Sequence, residues 1–595
     1  MSGSSKPILS SARRRSREDY LFSRAACLGI ASCAMLIAFG VASSQAETRP
    51  DLGHNVLVFD PTMPATQIQQ QIDKVYAIEE HSEFGPERYA LLFLPGKYNV
   101  DVPVGFYTQV LGVGASPDAV EIDGNVHSDA SLPDNNATCT FWRGVEGFTV
   151  KPTGGTMQWA VSQAVPFRRM HILGNIVLHQ DRGWASGGWI SDSAIEGNVD
   201  SGSQQQWISR NAEWRSWTGS NWNMVFVGVL NPPPGDWPSP PYTKVDRTPV
   251  VREKPFLEVD SRGKWSVIVP ALRTGSTGIS WHSGATPGHT IPLSRFYIAH
   301  PATDTAATLN AQLARGRNLL FTPGIYELDN ALDVSRPNTI VMGLGFATLK
   351  PTHGTAAIRT EDKDGIELAG LLIDAGEAAS PVLVEIGTSG SKARHIANPI
   401  CLHDVFFRVG GAGVGRAHVN LLVNSSDTII DHTWIWRADH GSGVGWESNT
   451  SDNGLVVNGD HVTAYGLFVE HHQRFQVLWN GDFGRTYFYQ SEIPYDPPDQ
   501  ASYTSARGVN GWASYKVADA VTDHEAWGLG IYSVFRYPDV TLTRAIEVPR
   551  NPQVRFHHMI TVALGRYGEI SNVIDDAGGA TSMHPRVTPK LAEFP

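Results

Sequence analysis

From residue 47 onward the chain is built of short apolar runs separated by Gly, Asn and Asp. Residues 365–374 read Gly-Ile-Glu-Leu-Ala-Gly-Leu-Leu-Ile-Asp, residues 419–424 read Val-Asn-Leu-Leu-Val-Asn, and residues 428–434 and 454–463 repeat the style. Such runs recur about every 20 to 25 residues with no long helix between them, the spacing expected for the rungs of a parallel β-helix. An antiparallel sandwich would instead need hairpin turns between successive strands. The pattern therefore predicts an all-β fold.

The same opening occurs twice. Residues 55–61 read Asn-Val-Leu-Val-Phe-Asp-Pro, followed by a helical pattern over 65–77, by Ala-Leu-Leu-Phe-Leu-Pro-Gly-Lys-Tyr at 90–98 and by Val-Leu-Gly-Val-Gly at 110–114. Residues 296–301 read Phe-Tyr-Ile-Ala-His-Pro, followed by a helical pattern over 305–315, by Asn-Leu-Leu-Phe-Thr-Pro-Gly-Ile-Tyr at 318–326 and by Ile-Val-Met-Gly-Leu-Gly at 340–345. A shared order of strand, helix, buried strand, Pro-Gly-x-Tyr turn and Gly-x-Gly turn indicates an internal duplication. The expected units are two tandem β-helices over 47–285 and 286–595, each opened by a short helix that caps the exposed end of its coil. The stiff stretch Asn-Pro-Pro-Pro-Gly-Asp-Trp-Pro-Ser-Pro-Pro-Tyr at 231–242 cannot sit inside a sheet and is expected to form a long loop or lid near the junction.

The first 46 residues read as a secretory signal. Five arginines precede an apolar run over 25–42, and Ser44-Gln45-Ala46 places small residues at a cleavage site. The run lies at the short end of the ~17 to 25 residues that span a bilayer, which favours a cleaved signal over an anchor. Formal charge is −12 for all 595 residues, and removal of 1–46 leaves 41 Lys and Arg against 57 Asp and Glu, a charge of −16. Such a surface repels nucleic acid and anionic membranes, so a neutral polysaccharide is the expected partner of an extracellular monomer. Of the four cysteines, Cys139 and Cys401 would remain after cleavage, without metal-ligand spacing and free to pair or to stay reduced.

The densest candidate chemistry lies at 467–498. Glu470 and Glu492 are 22 residues apart, about one rung, so a β-helix would place them at equivalent positions on coils stacked ~4.8 Å apart. Two carboxylates in one site push one pKa upward and leave the other ionised, supplying the acid and the base that glycoside hydrolysis needs. Trp446, Trp479, Tyr489 and Tyr495 offer flat faces for sugar rings, and Gln476, Gln490 and Asn480 offer hydroxyl partners. His471 and His472 alternate faces on a strand, so one of them at most points into a cleft. His471 is expected at the substrate side, packing on or orienting Glu470.

Val469-Glu-His-His, followed by Gln490-Ser-Glu-Ile-Pro-Tyr, resembles the signature of the β-1,3-glucanases of glycoside hydrolase family 55. In the first unit, residues 159–164 (Trp-Ala-Val-Ser-Gln-Ala), 185–192 (Ala-Ser-Gly-Gly-Trp-Ile-Ser-Asp) and 202–211 (Gly-Ser-Gln-Gln-Gln-Trp-Ile-Ser-Arg-Asn) are similar to that family's first-helix motifs. The resemblance implies two tandem right-handed parallel β-helices and an inverting exo-acting hydrolase. It implies Glu492 as general acid, with Glu470, Gln163 and Ser186 holding the attacking water. Ser491-Glu-Ile-Pro stands where the family usually has Thr-Glu-Thr-Pro, and Arg474 and Phe475 are atypical; these departures bear on the substrate more than on the fold.

Other chemistries are less well supported. Asp431-His432, Asp439-His440, Asp482 and Asp523-His524-Glu525 lack a compact metal-ligand spacing, and no Gly-Lys-Ser/Thr loop or complete dinucleotide fingerprint exists. No metal and no cofactor are therefore expected. A polysaccharide lyase would need a Lys or Arg base in a cation-lined groove, against an acidic pair here. A non-catalytic glycan-binding β-helix would be indifferent to loss of Glu492.

Overall fold

The computed structural model describes residues 49–595, so the expected signal at 1–46 lies outside the described residues. Two parallel coils follow one another. In the first, strands from Val56–Phe59 through Tyr89–Phe93 and Thr108–Gly112 to Gln206–Arg210, Asn223–Val227 and Tyr242–Val245 pair in parallel, each with the next rung. In the second, Phe296–Ala299, Asn318–Phe321, Ile340–Gly343 and Glu367–Asp374 start a longer ladder that passes through Ile429–Arg437, Thr463–Glu470, Gly484–Glu492 and His524–Ser533. A further parallel sheet in each coil closes the rungs. The two tandem parallel β-helices expected from the sequence are present.

The duplicated opening has one physical explanation in both copies. Tyr98 donates its hydroxyl to the carbonyls of Phe59 (2.9 Å) and Leu94 (2.7 Å), and Tyr326 does the same to Ala299 (2.7 Å) and Thr322 (3.0 Å). Each tyrosine ties the end of the first strand to the Pro-Gly turn. Gly96 and Gly324 have φ of 150° and 153°, and an added Cβ would lie 2.6 Å from Pro61 or 2.5 Å from Pro301. Backbone conformation and space both demand glycine there. Helix α1 (Ala65–Glu79) buries Ile68, Ile72 and Val75 on the end of the first core, and α2 (Ala306–Ala314) buries Leu309 and Leu313 on the second. Both helices thus cap coil ends with an apolar stripe.

The parallel ladder of the first coil ends at Val245. Thr248–Val251 and Arg273–Ser276 then pair antiparallel, as do Phe256–Val259, Trp265–Pro270 and Gly288–Pro292. Asp260 accepts from the amides of Arg262 and Lys264, closing the tight turn that makes this hairpin possible. The first coil is therefore followed by an antiparallel ribbon whose last strand, Gly288–Pro292, lies just past residue 285. Leu257, Trp265 and Val267 of the ribbon pack in one cluster with Leu92 of the first coil and with Leu320 and Met342 of the second, wedging the two together. The Pro-rich loop at 231–242 is clasped to the second coil: Trp237 stacks on His558 at 5.0 Å, and Lys590 Nζ donates to the Pro238 carbonyl at 2.9 Å.

The interface between the coils mixes apolar and ionic contacts. Phe141, Trp142, Trp189, Ile208 and Val225 meet Phe406, Trp434, Trp436, Phe468 and Phe488 in one buried cluster. Beside it Arg168 bridges Asp404 (2.8 Å) and Asp431 (2.7 Å), and Arg210 bridges Asp431 (2.9 Å) and Glu253 (2.7 Å). Burial works against the Asp431 carboxylate, but the two guanidinium groups hold its pKa well below the usual range. Asp431 and His432 therefore serve the interface: His432 stacks on Trp189 at 5.0 Å and bonds Asp404 at 2.8 Å. Cys139 and Cys401 are both free thiols.

One backbone feature sets which side chains face outward. Gly370, Asp404, His432, Gly466, Phe488, Gly528 and His558 all have φ between 51° and 72°, and the strand registers align them on successive rungs. Each acts as an extra residue that reverses the alternation of its strand. Ala464 faces the core and Tyr465 the interface; beyond Gly466, Leu467 and Val469 face the core, and Phe468 and Glu470 face outward. The first coil carries its own aligned series of left-handed residues, Gly147, Arg169, Asp192, Asn211 and Gly228.

Candidate active site

The outward faces of the second coil's rungs and the turns of the first enclose a cleft of about 430 Å³. Phe468 pairs with Gln490, and the His471 amide donates to the Glu492 carbonyl at 2.8 Å, so Glu470 and Glu492 occupy equivalent places on adjacent rungs. Both line the cleft.

The two carboxylates are held very differently. Glu470 Oε1 accepts from Gln163 Nε2 at 2.8 Å, and Oε2 accepts from the Trp434 indole Nε1 at 2.8 Å. The Ser186 hydroxyl donates to Gln163 Oε1 at 3.2 Å and lies 3.0 Å from the Ser162 hydroxyl, which in turn donates to the Ala137 carbonyl at 2.7 Å. A polar chain thus runs from the first coil to Glu470. Burial pushes the Glu470 carboxyl up, and the nearby Gln490 amide, the Trp434 indole and Gln163 pull it back, leaving it at about 7. Gln490 faces Glu470 without making a hydrogen bond of normal geometry among the described residues.

No side-chain donor reaches the Glu492 carboxyl among the described residues. Desolvation, then the negative charge of Glu470, then that of Asp439, push its pKa well above the ordinary carboxylate value, with His440 acting weakly against them. Asp439 and His440 form the adjoining wall, with His440 Nδ1 2.9 Å from Asp439 Oδ1 and Nε2 2.7 Å from Glu83 Oε1. Burial disfavours the imidazolium, yet its bonds with Asp439, Cys139 and Glu83 prevail and hold it up to about 12. Burial likewise opposes the Asp439 carboxylate, but His440 and His471 keep it at about 2.

Of the residues expected at the site, the structure gathers Glu470, Glu492, Gln163, Ser186, Tyr495 and His471 around the cleft. His471 packs on Tyr495 with ring centroids 4.4 Å apart, and its Nδ1 lies 3.2 Å from the Ile493 carbonyl. It therefore supports the Tyr495 turn and does not orient Glu470. Three aromatic residues expected to bind sugar are elsewhere. Trp479 is wholly buried in the second core, beside His524 at 4.8 Å, because Val477 and Trp479 share the inward face of their strand. Tyr489 also points inward, since Phe488 reverses the alternation, and its hydroxyl lies 2.8 Å from the Ser514 hydroxyl. Trp446 packs against the core edge under the Arg437 guanidinium, 5.6 Å from its ring centre. Gln476 and Asn480 bond backbone and neighbouring Asn side chains. Asp482 accepts from the Thr522 and Asp523 amides, a structural use.

The cleft's aromatic walls come instead from Phe141, Trp184, Trp222, Trp434 and Trp436. Trp434, which bonds Glu470, lies outside the 467–498 stretch where the sequence concentrates its candidate chemistry. Its signal is the Trp-Ile-Trp alternation one rung before Phe468 and Glu470, with Trp434 in register with Phe468 and Trp436 with Glu470. Trp184 and Trp222 flank first-coil motifs, and only the apposition of the coils brings them to the cleft.

A model of the LAM55 pectate lyase-like domain matches residues 296–492, the stretch from the second opening to the second glutamate. The chain is 46% identical over 600 residues to an exo-β-1,3-glucanase of Streptomyces sp. (strain SirexAA-E / ActE), covering 100% of this chain and 98% of that protein. Among solved structures it is similar to sacteLam55A from Streptomyces sp. SirexAA-E, with a TM-score of 0.90 and 48% identity over 92% of this chain and 99% of that one. A glutamate-to-alanine variant of that protein in complex with glucose matches equally well, with a TM-score of 0.90 at 48% identity over the same shares of the two chains. With 46% identity running the length of both coils, the chain belongs to glycoside hydrolase family 55.

Proposed function

We propose that this protein is a secreted, inverting exo-hydrolase of β-1,3-glucan that acts as a monomer, with Glu492 as general acid. The observation that carries this reading is the asymmetry of the carboxylate pair. Glu470 is tied by two hydrogen bonds, one of them from the other coil, whereas Glu492 meets no side-chain donor among the described residues and is raised well above the usual range. A carboxyl raised in this way keeps its proton to higher pH than an ordinary glutamate and can give it to the leaving glycosidic oxygen. Glu470, Gln163 and Ser186 then hold the attacking water: Ser186 and Gln163 can each donate and accept, and the Glu470 carboxylate takes up the proton the water loses as it attacks. The names of the relatives support a β-glucan as substrate, and Trp184 with Trp222, ring centroids 6.4 Å apart, offers flat surface for sugar rings. Carboxyl groups that enclose a water need ~6.5 to 9.5 Å between them, against ~5 Å for direct attack; the polar chain from the first coil supports the wider arrangement by supplying groups to hold that water.

The test is hydrolysis of laminarin, a neutral glucan panel and pectate by wild type and Glu492→Gln. Laminarin should be cleaved, and the variant should retain its circular dichroism and lose ~10²- to 10⁴-fold in rate. A variant keeping more than about a tenth of the wild-type rate overturns the acid assignment, since a general acid is worth more than that. Proton NMR of early product should show the α-anomer; the β-anomer first would overturn inversion. Secretion is tested by sequencing the exported protein, which should begin at Glu47.

A further inference from the structure

Three segments remote in sequence meet on the cleft wall beside Glu492. The loop after α1 carries Glu83, the loop before the strand Arg143–Glu146 carries Cys139, and the loop after the strand Ile429–Arg437 carries His440. One carboxylate oxygen, the thiol sulfur and one ring nitrogen of these residues all lie within 4.8 Å of one another. All three residues are half-buried, and Cys139 and His440 line the cleft.

We propose that Glu83, Cys139 and His440 form a binding site for a thiophilic divalent cation of the Zn²⁺ and Cd²⁺ class, open to the cleft at its fourth position, through which such a cation inhibits the enzyme. Sulfur, imidazole and carboxylate are the donors Zn²⁺ takes, and three protein ligands with one vacant position is the arrangement of an open tetrahedral site. The surroundings hold His440 and the Glu83 loop in place. Asp439 Oδ1 lies 2.9 Å from His440 Nδ1, the carboxylate-imidazole pairing that turns Nε2 toward the other two donors, where it now lies 2.7 Å from Glu83 Oε1 and a cation would replace its proton. The Tyr107 hydroxyl donates to the Glu83 carbonyl at 2.6 Å, and Phe84 stacks on Trp436 with centroids 6.3 Å apart, anchoring the Glu83 loop on the second coil.

Binding forms Sγ–metal, Nε2–metal and carboxylate–metal bonds; the protons of the Cys139 thiol and of His440 Nε2 leave to solvent, and nothing is oxidised or reduced. A second cluster of the same donor types, Glu367, Cys401 and His403, is fully buried in the interface, and none of its residues lines the cleft. It has no access from the cleft. The inhibitory consequence rests on the catalytic reading given above, whereas the site itself does not.

Co²⁺ is the probe for the full-length metal-free protein. One equivalent should bind with a thiolate-to-cobalt charge-transfer band, and Zn²⁺ should displace it. The band should vanish in Cys139→Ser. Glu83→Gln should weaken binding by at least the about 10- to 100-fold that loss of a residue merely bonded to a ligand costs. Zn²⁺ should slow laminarin hydrolysis by wild type, EDTA should restore it, and Cys139→Ser should show no Zn²⁺ dependence relative to its own metal-free rate. Absence of the band, or an equal band and affinity in Cys139→Ser, overturns the site. Co²⁺ binding at Cys139 without any slowing of an active enzyme overturns the inhibition alone. A protein inert on laminarin would sink the catalytic reading while the absorption data still decide the site.

Discussion

The two coils open identically and end as opposites in chemistry. Both begin with a strand, a capping helix and a Pro-Gly-x-Tyr turn whose tyrosine makes the same two hydrogen bonds. Yet both cleft carboxylates of the proposed reaction, Glu470 and Glu492, stand on the second coil, and the first contributes the uncharged Gln163 and Ser186. The left-handed residues differ in the same way. In the first coil the series at Gly147, Arg169 and Asp192 follows the ends of strands and turns a corner, whereas in the second it runs through the middle of strands and reverses their facing. A duplicated scaffold can therefore keep its folding devices while one copy takes the charges and the other tunes them. Neither coil alone holds Glu470 as observed.

The largest effect should come from separating the coils electrically. Asp431→Ala leaves Arg168 and Arg210 short of a shared partner in a buried network, and the expected cost is about 3–5 kcal/mol of stability, read by chemical denaturation. A loss under about 1 kcal/mol would mean that apolar contacts alone join the coils, as for a surface ion pair.

Next comes the relay from the first coil. Gln163→Ala should lower kcat by about ten- to a hundredfold, the worth of ~1.5–3 kcal/mol for a hydrogen bond to a charged group, and Ser186→Ala, which loses a bond to a neutral amide, by about two- to tenfold, each with little change in KM. Wild-type turnover by folded Ser186→Ala would exclude that hydroxyl from the reaction.

Gly466→Ala probes the reversal in the second coil. Its Cβ would lie 2.6 Å from the Trp189 ring of the first coil, at φ 61°, so about 1–3 kcal/mol should be lost from strain alone. An unchanged melting temperature would show that the strand can repack without the glycine.

The smallest and most diagnostic effect is on pH dependence. Hydrolysis should rise with pH as Glu470 ionises, at about 7, and fall only well above the ordinary carboxylate range, where Glu492 loses its proton. Because Gln163 lowers the Glu470 pKa, Gln163→Ala should move the acid limb of kcat/KM to higher pH. A shift to lower pH would reverse the assigned influence of the first coil.

The sequence by itself determined the rungs, the duplication and the stacking of Glu470 on Glu492, because these depend on local periodicity and on a spacing of 22 residues that the registers reproduce. Only the tertiary structure decided which aromatic residues reach the cleft. A single left-handed residue reverses the facing of everything beyond it: Phe488 turns Tyr489 into the core, and His432, a residue type with no strong turn signature, reverses its strand so that Trp434 reaches Glu470. Gln163 and Glu470 are 307 residues apart, and their hydrogen bond exists because a buried ionic and aromatic interface presses the coils side by side. Periodicity along one strand carries no information about the other coil's position, and contact between them is what turns a pair of stacked acids into two unequal ones.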